Sequence, residues 1–468
     1  MPQSVAVVLA AGLGTRMKSN MPKVLHRVAG KPMIQHVINS LRFADVENII
    51  LVLGYQAERV ESVLGAGFQI VYQKEQLGTG HAVLQALPLL QQYSSGDCLV
   101  VCGDTPLLRG QTLKRLREKH NEAGAKATIL TALLSDPTGY GRIIKNAQGV
   151  EKIVEEKDAA EEEKAVREIN TGAYCFSIES LKEKLALLTP ANAQGEYYLT
   201  DVIKYLVEDG EKVDTLLLTD PNEAMGINNR RQLAEAEVQM RRRILEKLMD
   251  QGVTVINPDH TYVEEEVVIG KDTILYPGVI LEGKTRIGEN CEIGPNTRIV
   301  DSIIEDDVVI NYSYLFQAKV AKSCTIGPYS YLRPGTVLAE GVKVGDFVEV
   351  KNSYIGPGSK VPHLSYVGDS TVGKGVNIGA GTITCNYDGV NKYPTYIGDG
   401  AFIGSNTNLV APITVGEGAY IGAGSTVNKD IPAGALAVAR GKQRNIENWK
   451  SRAQGTGKEE VREDKNHD

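Results

Sequence analysis

In the second half of the chain an aliphatic residue returns at every sixth position, usually with Gly after it. From Val263 the series runs Ile269, Leu275, Leu281, Ile287, Ile293 and Ile299, then Ile303, Val309 and Leu315 after a phase shift. It resumes as Ile326, Leu332, Leu338 and Val344, then Ile355, Val361 and Val367, then Val372 and Ile378. Past one irregular insertion come Ile397, Ile403, Leu409, Val415, Ile421 and Val427. A period of six is neither the 3.6 of an amphipathic helix nor the 2 of an alternating strand. It is the mark of a parallel β-helix, where each short strand adds one inward aliphatic residue to a continuous core. Gly after that residue permits a tight corner or a positive φ. A Gly-rich β-sandwich with accidental spacing is the alternative, and more than twenty in-phase positions count against it.

With 468 residues the chain has room for two large domains or three smaller ones. Hydrophobic content of 42% and charge of 23% are those of an ordinary globular protein. A formal net charge of -7 argues against a nucleic-acid surface, and no run reaches the ~18 apolar residues of a membrane span. Met1-Pro2-Gln3-Ser4 leads straight into an apolar segment, without the basic start and cleavage site of a signal peptide. Cysteines at 98, 102, 175, 291, 324 and 385 form no CxxC pair and no metal-ligand spacing. Reduced, structural thiols in a cytoplasmic protein are expected.

The first strand candidate, Val5–Leu9, is continuously apolar and runs into Ala10-Ala11-Gly12-Leu13-Gly14-Thr15-Arg16-Met17, with Pro22-Lys23 shortly after. Small residues after a buried parallel strand let backbone N–H groups approach phosphate. Arg16 and Lys23 add two cations suited to a triphosphate. The dinucleotide fingerprint fails, because its third Gly would fall at Met17. Met33–Ala44 follows as an amphipathic helix, Ile49–Leu53 and Phe68–Tyr72 as buried strands, and Leu77-Gly78-Thr79-Gly80-His81-Ala82 as a helix start. Cys98–Cys102 is a fourth strand, ending in Gly103-Asp104. Alternating βα units imply a mostly parallel, Rossmann-like sheet that binds ligands beyond its carboxyl strand ends. Asp104 stands at such an end, as a Mg²⁺ ligand or as a plain turn residue.

Residues 1–228 resemble the sugar-1-phosphate nucleotidyltransferases through Leu9–Met17, Pro22-Lys23 and Gly103-Asp104. Within that family they are similar to the uridylyltransferase half of the bifunctional enzymes that make UDP-N-acetylglucosamine. Gln76–Ala82, Gly139-Tyr140-Gly141-Arg142, Ile153-Val154-Glu155, Glu168–Gly172 and Gly226–Asn229 carry that closer likeness. The resemblance implies that Leu9, Ala10, Ala11, Gly12, Arg16, Lys23, Gln73, Gly78, Thr79, Gly141, Glu155, Asn170 and Asn228 bind UTP and the UDP-sugar. It also implies that Asp104 and Asn228 hold Mg²⁺. Cys102 stands where relatives often carry an aromatic residue, at a position expected to contribute mainly backbone. The implied reaction is an in-line attack of a sugar 1-phosphate on the α-phosphate of UTP. It requires positioning and charge neutralisation, and no nucleophilic side chain.

Asn229–Gly252 reads as a connecting helix with Leu233, Ala236, Met240, Ile244, Leu248 and Met249 as its apolar stripe, capped by Gly252. Arg241-Arg242-Arg243 reads as a solvated helix face. In the array, Tyr331–Gly335, Val348–Asn352, His363–Tyr366 and the insertion Thr382–Gly389 break the repeat with polar residues. Lys351 lies 18 residues from Arg333, one turn of a three-sided coil, so the two cations stack. They form either a phosphate site or a solvated ladder. His363 is either a satisfied corner histidine or a base for an ammonium, given an ordinary pKa of about 6.5.

Leu332-Arg333-Pro334-Gly335, His363-Leu364, Gly379–Thr382 and Cys385-Asn386-Tyr387-Asp388-Gly389 resemble the hexapeptide-repeat acyltransferases, most closely those of the same bifunctional enzymes. The resemblance implies a left-handed coil and a homotrimer; the hand is a family inference, since general crossover rules favour the opposite one. It implies His363 as general base, with Arg333, Lys351, Tyr366 and Asn377 on glucosamine 1-phosphate. Asn386 and Tyr387 fall near the reacting groups, and Ala380, Ser405, Ala423 and Arg440 along acetyl-CoA. Val361-Pro362 replaces a smaller pair before the base and stiffens that approach. The tail after about Trp449 is polar, charged and expected to be disordered.

The expected architecture is therefore an α/β nucleotidyltransferase domain (1–228), a connecting helix (229–252) and a left-handed parallel β-helix of hexapeptide repeats with a polar tail (253–468). The expected protein is a two-site enzyme of small molecules, with Mg²⁺ and acetyl-CoA and without nucleic-acid or membrane partners. Two rivals remain. One is a nucleotidyltransferase with a non-catalytic, oligomerising coil, against which His363, Arg333 and the Asn386-Tyr387 insertion speak. The other is a non-catalytic binding protein, which intact Arg16, Lys23, Asp104 and Asn228 disfavour.

Overall fold

The apolar run at the chain start becomes β1 (Ser4–Ala10), the centre of a nine-stranded mixed sheet. A computed structural model describes residues 4–453. The chain divides into two compact units, the first reaching Ile269 and including Pro277–Lys284, the second made of Gly270–Tyr276 and the chain from Thr285 on.

In the first unit the order is β1, α1 (Met33–Phe43), β2 (Asn48–Leu53), α2 (Ala57–Leu64), β3 (Gln69–Tyr72), α3 (Thr79–Leu90), β4 (Asp97–Cys102), α4 (Gly110–Ala123) and β5 (Ala127–Leu133). It continues with β6 (Arg142–Asn146), β7 (Gly149–Val154), β8 (Glu168–Ser177), α5 (Ile178–Leu185), α6 (Asp201–Glu208) and β9 (Val213–Leu217). The sheet runs β9-β5-β8-β4-β1-β2-β3, with β6 joined to β8 and β7. β1 pairs in parallel with β2 and β4, and β8 enters antiparallel between β4 and β5. Successive residues of β1 face opposite layers. Val5 and Val7 pack with Ala82, Val83 and Ala86 of α3, while Ala6 and Val8 pack with Ile34, Val37 and Ile38 of α1. A strand covered on both faces must be apolar throughout, which is why the run shows no alternation.

α7 (Arg230–Asp250) is the helix read from the apolar stripe. The Asn229 side chain caps it by accepting from the N–H groups of Arg231 and Gln232. At its other end Val253 N–H bonds Leu248 O and Gly252 N–H bonds Met249 O, with Gly252 at φ 94°. That Schellman geometry needs the left-handed conformation Gly allows. Three side chains differ from the sequence reading. Met249 is exposed and Leu245 is buried in its place. Arg243 is not solvated, since it bonds Leu107 O at 2.6 Å and Asp220 at 3.0 Å.

The second unit is a three-sided coil. One sheet runs from Ile274–Leu275 to Leu436–Ala437, a second from Arg298–Val300 to Thr426–Val427, and a third from Arg286–Ile287 to Ile413–Val415. All strands are short and pair in parallel with the turns above and below, as in Ile326↔Val344 and Val350↔Val367. Two positions of the hexapeptide series are corrected. Ile303 is 45% exposed and Ile304 only 2%, and Ile310 rather than Val309 is fully buried. Each site offers two adjacent aliphatic residues, and periodicity cannot choose when one side of the turn is a residue shorter. The registers Ile287↔Ile304 and Ile293↔Ile310 settle it.

The role of Gly after the aliphatic residue is close approach between turns. A Cβ on Gly356 would lie 2.4 Å from Gly373 O, so no other residue fits without moving the backbone. The left-handed backbone falls two residues later, at Gly358 with φ 66°. Two residues before each core aliphatic stands a second buried series of small residues, among them Thr297, Ser330, Ser353, Ser370 and Thr407. Their hydroxyls bond the backbone; Ser330 donates to Gly345 O at 2.6 Å, and Ser353 to Lys351 O at 2.7 Å while accepting from Ser370 N–H at 2.9 Å. Cys291 and Cys324 occupy the same series, and all six cysteines are free thiols.

The expected disordered tail begins with a helical turn, Trp449–Ala453, and the rest of it, 454–468, lies outside the described residues, as do the first three residues of the expected leaderless start. Among the described residues no helix is long and apolar enough to cross a membrane.

The corrected phase makes a direct prediction. Ile304→Ala should destabilise the protein by about 2–5 kcal/mol, and Ile303→Ala by under about 1 kcal/mol, read from urea unfolding midpoints. Equal costs would restore the uncorrected phase.

Candidate active sites

At the carboxyl ends of β1 and β4 the chain encloses a cavity of about 260 Å³. Leu9, Ala10, Ala11, Gly12, Lys23, Gln73, Gly78, Thr79 and Asp104 line it, together with Gln76, Cys102 and Glu196. Gly103 N–H bonds Leu9 O at 2.9 Å, which ties the two strand ends together. Gly14 lies at φ 63°, and a Cβ there would sit 2.8 Å from Lys23 Cβ. Its absence lets the Lys23 stem pass into the cavity. The Lys23 ammonium donates to Asp104 Oδ2 and, at 3.1 Å, to Asn228 Oδ1. Ile227 N–H bonds Asp104 O at 2.9 Å, so the two oxygen-bearing loops are joined by backbone. Gln73 is buried, and its amide nitrogen bonds Gly78 O at 3.0 Å and His81 Nδ1 at 3.1 Å. Gly78 and Gly80 lie under Tyr197, where a Cβ on Gly78 would meet Tyr197 O at 2.6 Å.

Gly141, Glu155 and Asn170 form a second group beside that cavity. Asn170 N–H bonds Gly141 O at 2.8 Å, and Glu155 Oε2 lies 3.3 Å from where a Gly141 Cβ would be. Burial pushes the Glu155 carboxyl above its ordinary range, against a bond from Thr200. Gly172, two residues past Asn170, brings this group to the cavity wall, with Cys102 Sγ 3.3 Å from its Cβ position. Burial pushes the Cys102 thiol up to about 12, so it is no nucleophile at neutral pH. Arg16 is exposed on the short turn Thr15–Met17 and is not among the residues lining the cavity. Sequence reasoning omitted Gln76 and Glu196 from the site; Gln76 was visible inside the quoted motif, whereas Glu196 carries no local signal.

In the coil, three of the four polar stretches do not break the repeat. Tyr331–Leu332, Glu349–Lys351 and Lys360–His363 are strands in register, and polarity alone distinguishes them. The fourth is a real insertion, a hairpin closed by the Tyr387↔Lys392 bridge, in which Asp388 Oδ1 accepts from the N–H groups of Val390 and Asn391. Arg333 and Lys351 stack on successive turns, as their spacing implied. Each is paired with an acid, Arg333 with Glu349 at 2.8 Å and Lys351 with Asp369 at 3.1 Å. Asn386 is buried and donates to Asp369 as well. Burial opposes ionisation of Asp369, yet bonds from Asn352, Lys351 and Asn386 hold its carboxyl below the ordinary range. Tyr366 stands in register with Glu349, three residues past His363 in the chain. Lys392 of the hairpin faces the Lys351 ammonium, and that proximity lowers its own pKa. The sequence reading left Lys392 out, because only the folded hairpin returns it to Lys351.

His363 ends its strand at a corner, 56% exposed, with Nδ1 2.6 Å from Asp346 Oδ1 on the preceding turn. Below it on the same corner lie Ala380, Ser405, Ala423 and Arg440. Asn406 N–H bonds Ala380 O at 2.7 Å, Gly424 N–H bonds Ser405 O at 2.8 Å, and Arg440 Nη1 donates to Ala423 O at 2.8 Å. Residues 25, 18 and 17 apart thus form one column leading to the imidazole. Tyr387 is exposed on the hairpin. Asn377 lies in register with Lys360, on the His363 sheet, and not on the sheet that carries Arg333, Lys351 and Tyr366.

Comparison with known proteins follows the same division. The MobA-like NTP transferase domain matches residues 6–148, the GMPPB C-terminal domain residues 260–361, and the bacterial transferase hexapeptide (six repeats) residues 394–429. The bifunctional protein GlmU of Carboxydothermus hydrogenoformans is 56% identical over 444 residues, 95% of this chain and 99% of that protein. That of Heliobacterium modesticaldum is 56% identical over 453 residues, covering 97% and 99%. That of Geobacillus thermodenitrificans is 52% identical over 459 residues, covering 98% and 100%. The matched stretches span both units, and the chain belongs to the family of the bifunctional protein GlmU.

Proposed function

We infer that this chain is a bifunctional transferase of UDP-N-acetylglucosamine synthesis. Its coil acetylates glucosamine 1-phosphate from acetyl-CoA, and its first unit joins the product to UMP from UTP, releasing pyrophosphate. The observation that carries this reading is that each unit holds its own polar cluster, one gathered on Lys23 and one on His363. We divide the roles as residues 1–228 for nucleotidyl transfer, 229–252 as connector and 253–468 for acetyl transfer.

In the first site, Asp104 Oδ2 and Asn228 Oδ1 both accept from one ammonium, so the two oxygens share one cation position. A carboxylate and an amide oxygen fit Mg²⁺, which takes one or two carboxylates and completes its shell with phosphate and water. Bound there, Mg²⁺ supplies charge neutralisation at the nucleotide phosphates. Lys23 supplies a second positive charge on the cavity wall. Leu9–Gly12 and Gln73, Gly78 and Thr79 enclose the uridine side, and Gly141, Glu155 and Asn170 the sugar side. Arg16, exposed on the Thr15–Met17 turn, is assigned to the pyrophosphate end. The sugar 1-phosphate oxygen forms a bond to the α-phosphorus as the bond to pyrophosphate breaks, and no protein atom becomes covalently attached.

In the second site, Arg333 and Lys351 hold the sugar phosphate, and Tyr366, with Asn377, orients the sugar. Coenzyme A follows the Ala380–Ser405–Ala423–Arg440 column, with Asn386 and Tyr387 beside the thioester. His363 takes a proton from the substrate ammonium, the freed amine forms a bond to the thioester carbonyl carbon, and the C–S bond breaks. The imidazolium returns its proton to the departing thiolate, and the nitrogen, now bonded to the acyl carbon, loses its second proton to solvent as the amide forms. A homotrimer in the cytoplasm completes the proposal. The hexapeptide repeats and the row of exposed rings at Tyr312, Tyr329 and Phe347 support the first, and six free thiols the second.

Three outcomes are expected. Asp104→Asn and Lys23→Met each lower pyrophosphate release from UTP and N-acetylglucosamine 1-phosphate by about 10²-fold or more; retention within about twofold would remove the first site. His363→Ala abolishes thiol release from acetyl-CoA with glucosamine 1-phosphate. No release from the folded parent, with pyrophosphate still formed, would make the coil a scaffold. Light scattering should give three times the 50.7 kDa chain mass, and a monomer would reject the trimer.

A further inference from the structure

The acetyl-transfer base has a neighbour that none of the roles above employs. Asp346 closes the strand Lys343–Asp346, and His363 closes Lys360–His363 on the next turn, the two strands pairing with Asp346 opposite His363. Their side chains meet at 2.6 Å, Nδ1 to Oδ1. An ionised carboxylate can only accept, so the proton in that bond belongs to Nδ1. Neutral imidazole carries one N–H, and with Nδ1 protonated its Nε2 is left as the acceptor. Among the described residues Nε2 has no partner within the chain, and His363 is exposed there.

The surroundings leave Asp346 as the one charged group placed to decide the tautomer. The turn above contributes Lys343 and Asp346, and the strand itself contributes Lys360, which stands opposite Lys343 three residues away. The turn below contributes Asn377, Ile378, Gly379 and Ala380, none of them charged. The Asp346 carboxyl is held below its ordinary range, first by the His363 bond, so it is ionised at neutral pH. Pro362, with its fixed φ, stiffens the backbone that leads into His363. Gly345 has no room for a side chain, since its Cβ would fall on Pro362 O. The backbone on both sides of the pair is thereby held at strand separation.

We propose that Asp346 is a positioning residue for acetyl transfer, accepting from Nδ1–H of His363 and so keeping Nε2 as the base. This rests on the reading of His363 as the proton acceptor. Asp346 touches neither substrate nor thioester and acts through the imidazole alone. It also stabilises the imidazolium formed when the amine loses its proton, and that charge exists only after the proton moves. Its removal therefore lowers kcat and leaves KM nearly unchanged.

The test uses full-length protein, with Asp346→Ala, Asp346→Asn and His363→Ala beside the parent. Thiol release gives kcat and KM, and ¹⁵N shifts of His363 at about pH 9, well above the ordinary imidazole range, give the tautomer without turnover. The parent is expected to show Nδ1–H, with Nε2 unprotonated. Asp346→Ala is expected to lose that preference and at least about tenfold in kcat, with KM within about twofold. Asp346→Asn, whose amide oxygen still accepts from Nδ1–H, is expected to retain the tautomer and lose less. Nε2–H in the parent, or Asp346→Ala with unchanged kcat and tautomer, overturns the proposal. If His363→Ala still releases thiol, the base assignment fails and takes the proposal with it. If His363→Ala is inactive while Asp346→Ala is fully active, Asp346 alone is struck out.

Discussion

The second unit depends on backbone hydrogen bonds between turns lying mostly 17 or 18 residues apart. Each turn both donates to and accepts from its neighbours, with Arg333 N–H donating to Val350 O and Asn352 N–H to Pro334 O, so turns must stack at strand separation with nothing between them. That spacing leaves no room for a side chain at Gly356, and it explains that glycine better than any need for an unusual φ. It also leaves polar backbone facing the interior, which the hydroxyls of Ser330, Ser353 and their counterparts satisfy. The aliphatic column supplies the apolar area, at about 1.5–3 kcal/mol for each fully buried side chain. Columns of chemically useful residues then follow from the same stacking. Ala380, Ser405 and Ala423 align because the backbone beneath them aligns.

In the first unit the equivalent constraint is the adjacency of β1 and β4. Parallel pairing brings Leu9 beside Cys102, and the two loops that leave those strands enclose the cavity. Lys23 and Asp104 are 81 residues apart and Asn228 lies farther still, so the cluster exists only once the sheet has formed. The Lys23 ammonium holds two acceptors that would otherwise face one another across the cavity floor. Any cation entering there competes with it, and nucleotide phosphates offer the lysine a new partner in exchange.

Much of this was legible in the chain itself. The buried strands around Val7, Leu51 and Val100 were readable because continuous apolar runs have few other uses. The coil was readable because its period matches no competing structure. Leu9–Gly12, Lys23, Gln73 and Thr79 were placed by motif and do share one cavity. What could not be read depended on contacts between distant residues. Ile303 and Ile304 are equally aliphatic, and only the pairing with Ile287 separates them. Lys392 looks like an ordinary hairpin lysine until the loop folds back. Asp346 precedes its partner by a single turn, and its carboxylate acquires a role only through the register. Arg243 looked solvated because three successive arginines seldom share a buried face, yet Asp220 waits beside it.

The hairpin at Asn386–Lys392 shows where this architecture tolerates change. Thirteen residues separate the inward positions Thr384 and Ile397, where ordinary sides use five or six, yet Thr384 still meets Leu409 and Ile397 still meets Val415. Length along the axis is set by stacking, whereas length around the perimeter is set by nothing once the chain has left the corner. An ancestral coil could therefore acquire a loop there without disturbing any turn above or below. The loop arrives beside Lys351 and Asp369 simply because it leaves from the adjacent turn. New chemistry on such a fold need not await a new core, only an excursion that returns to the same rung.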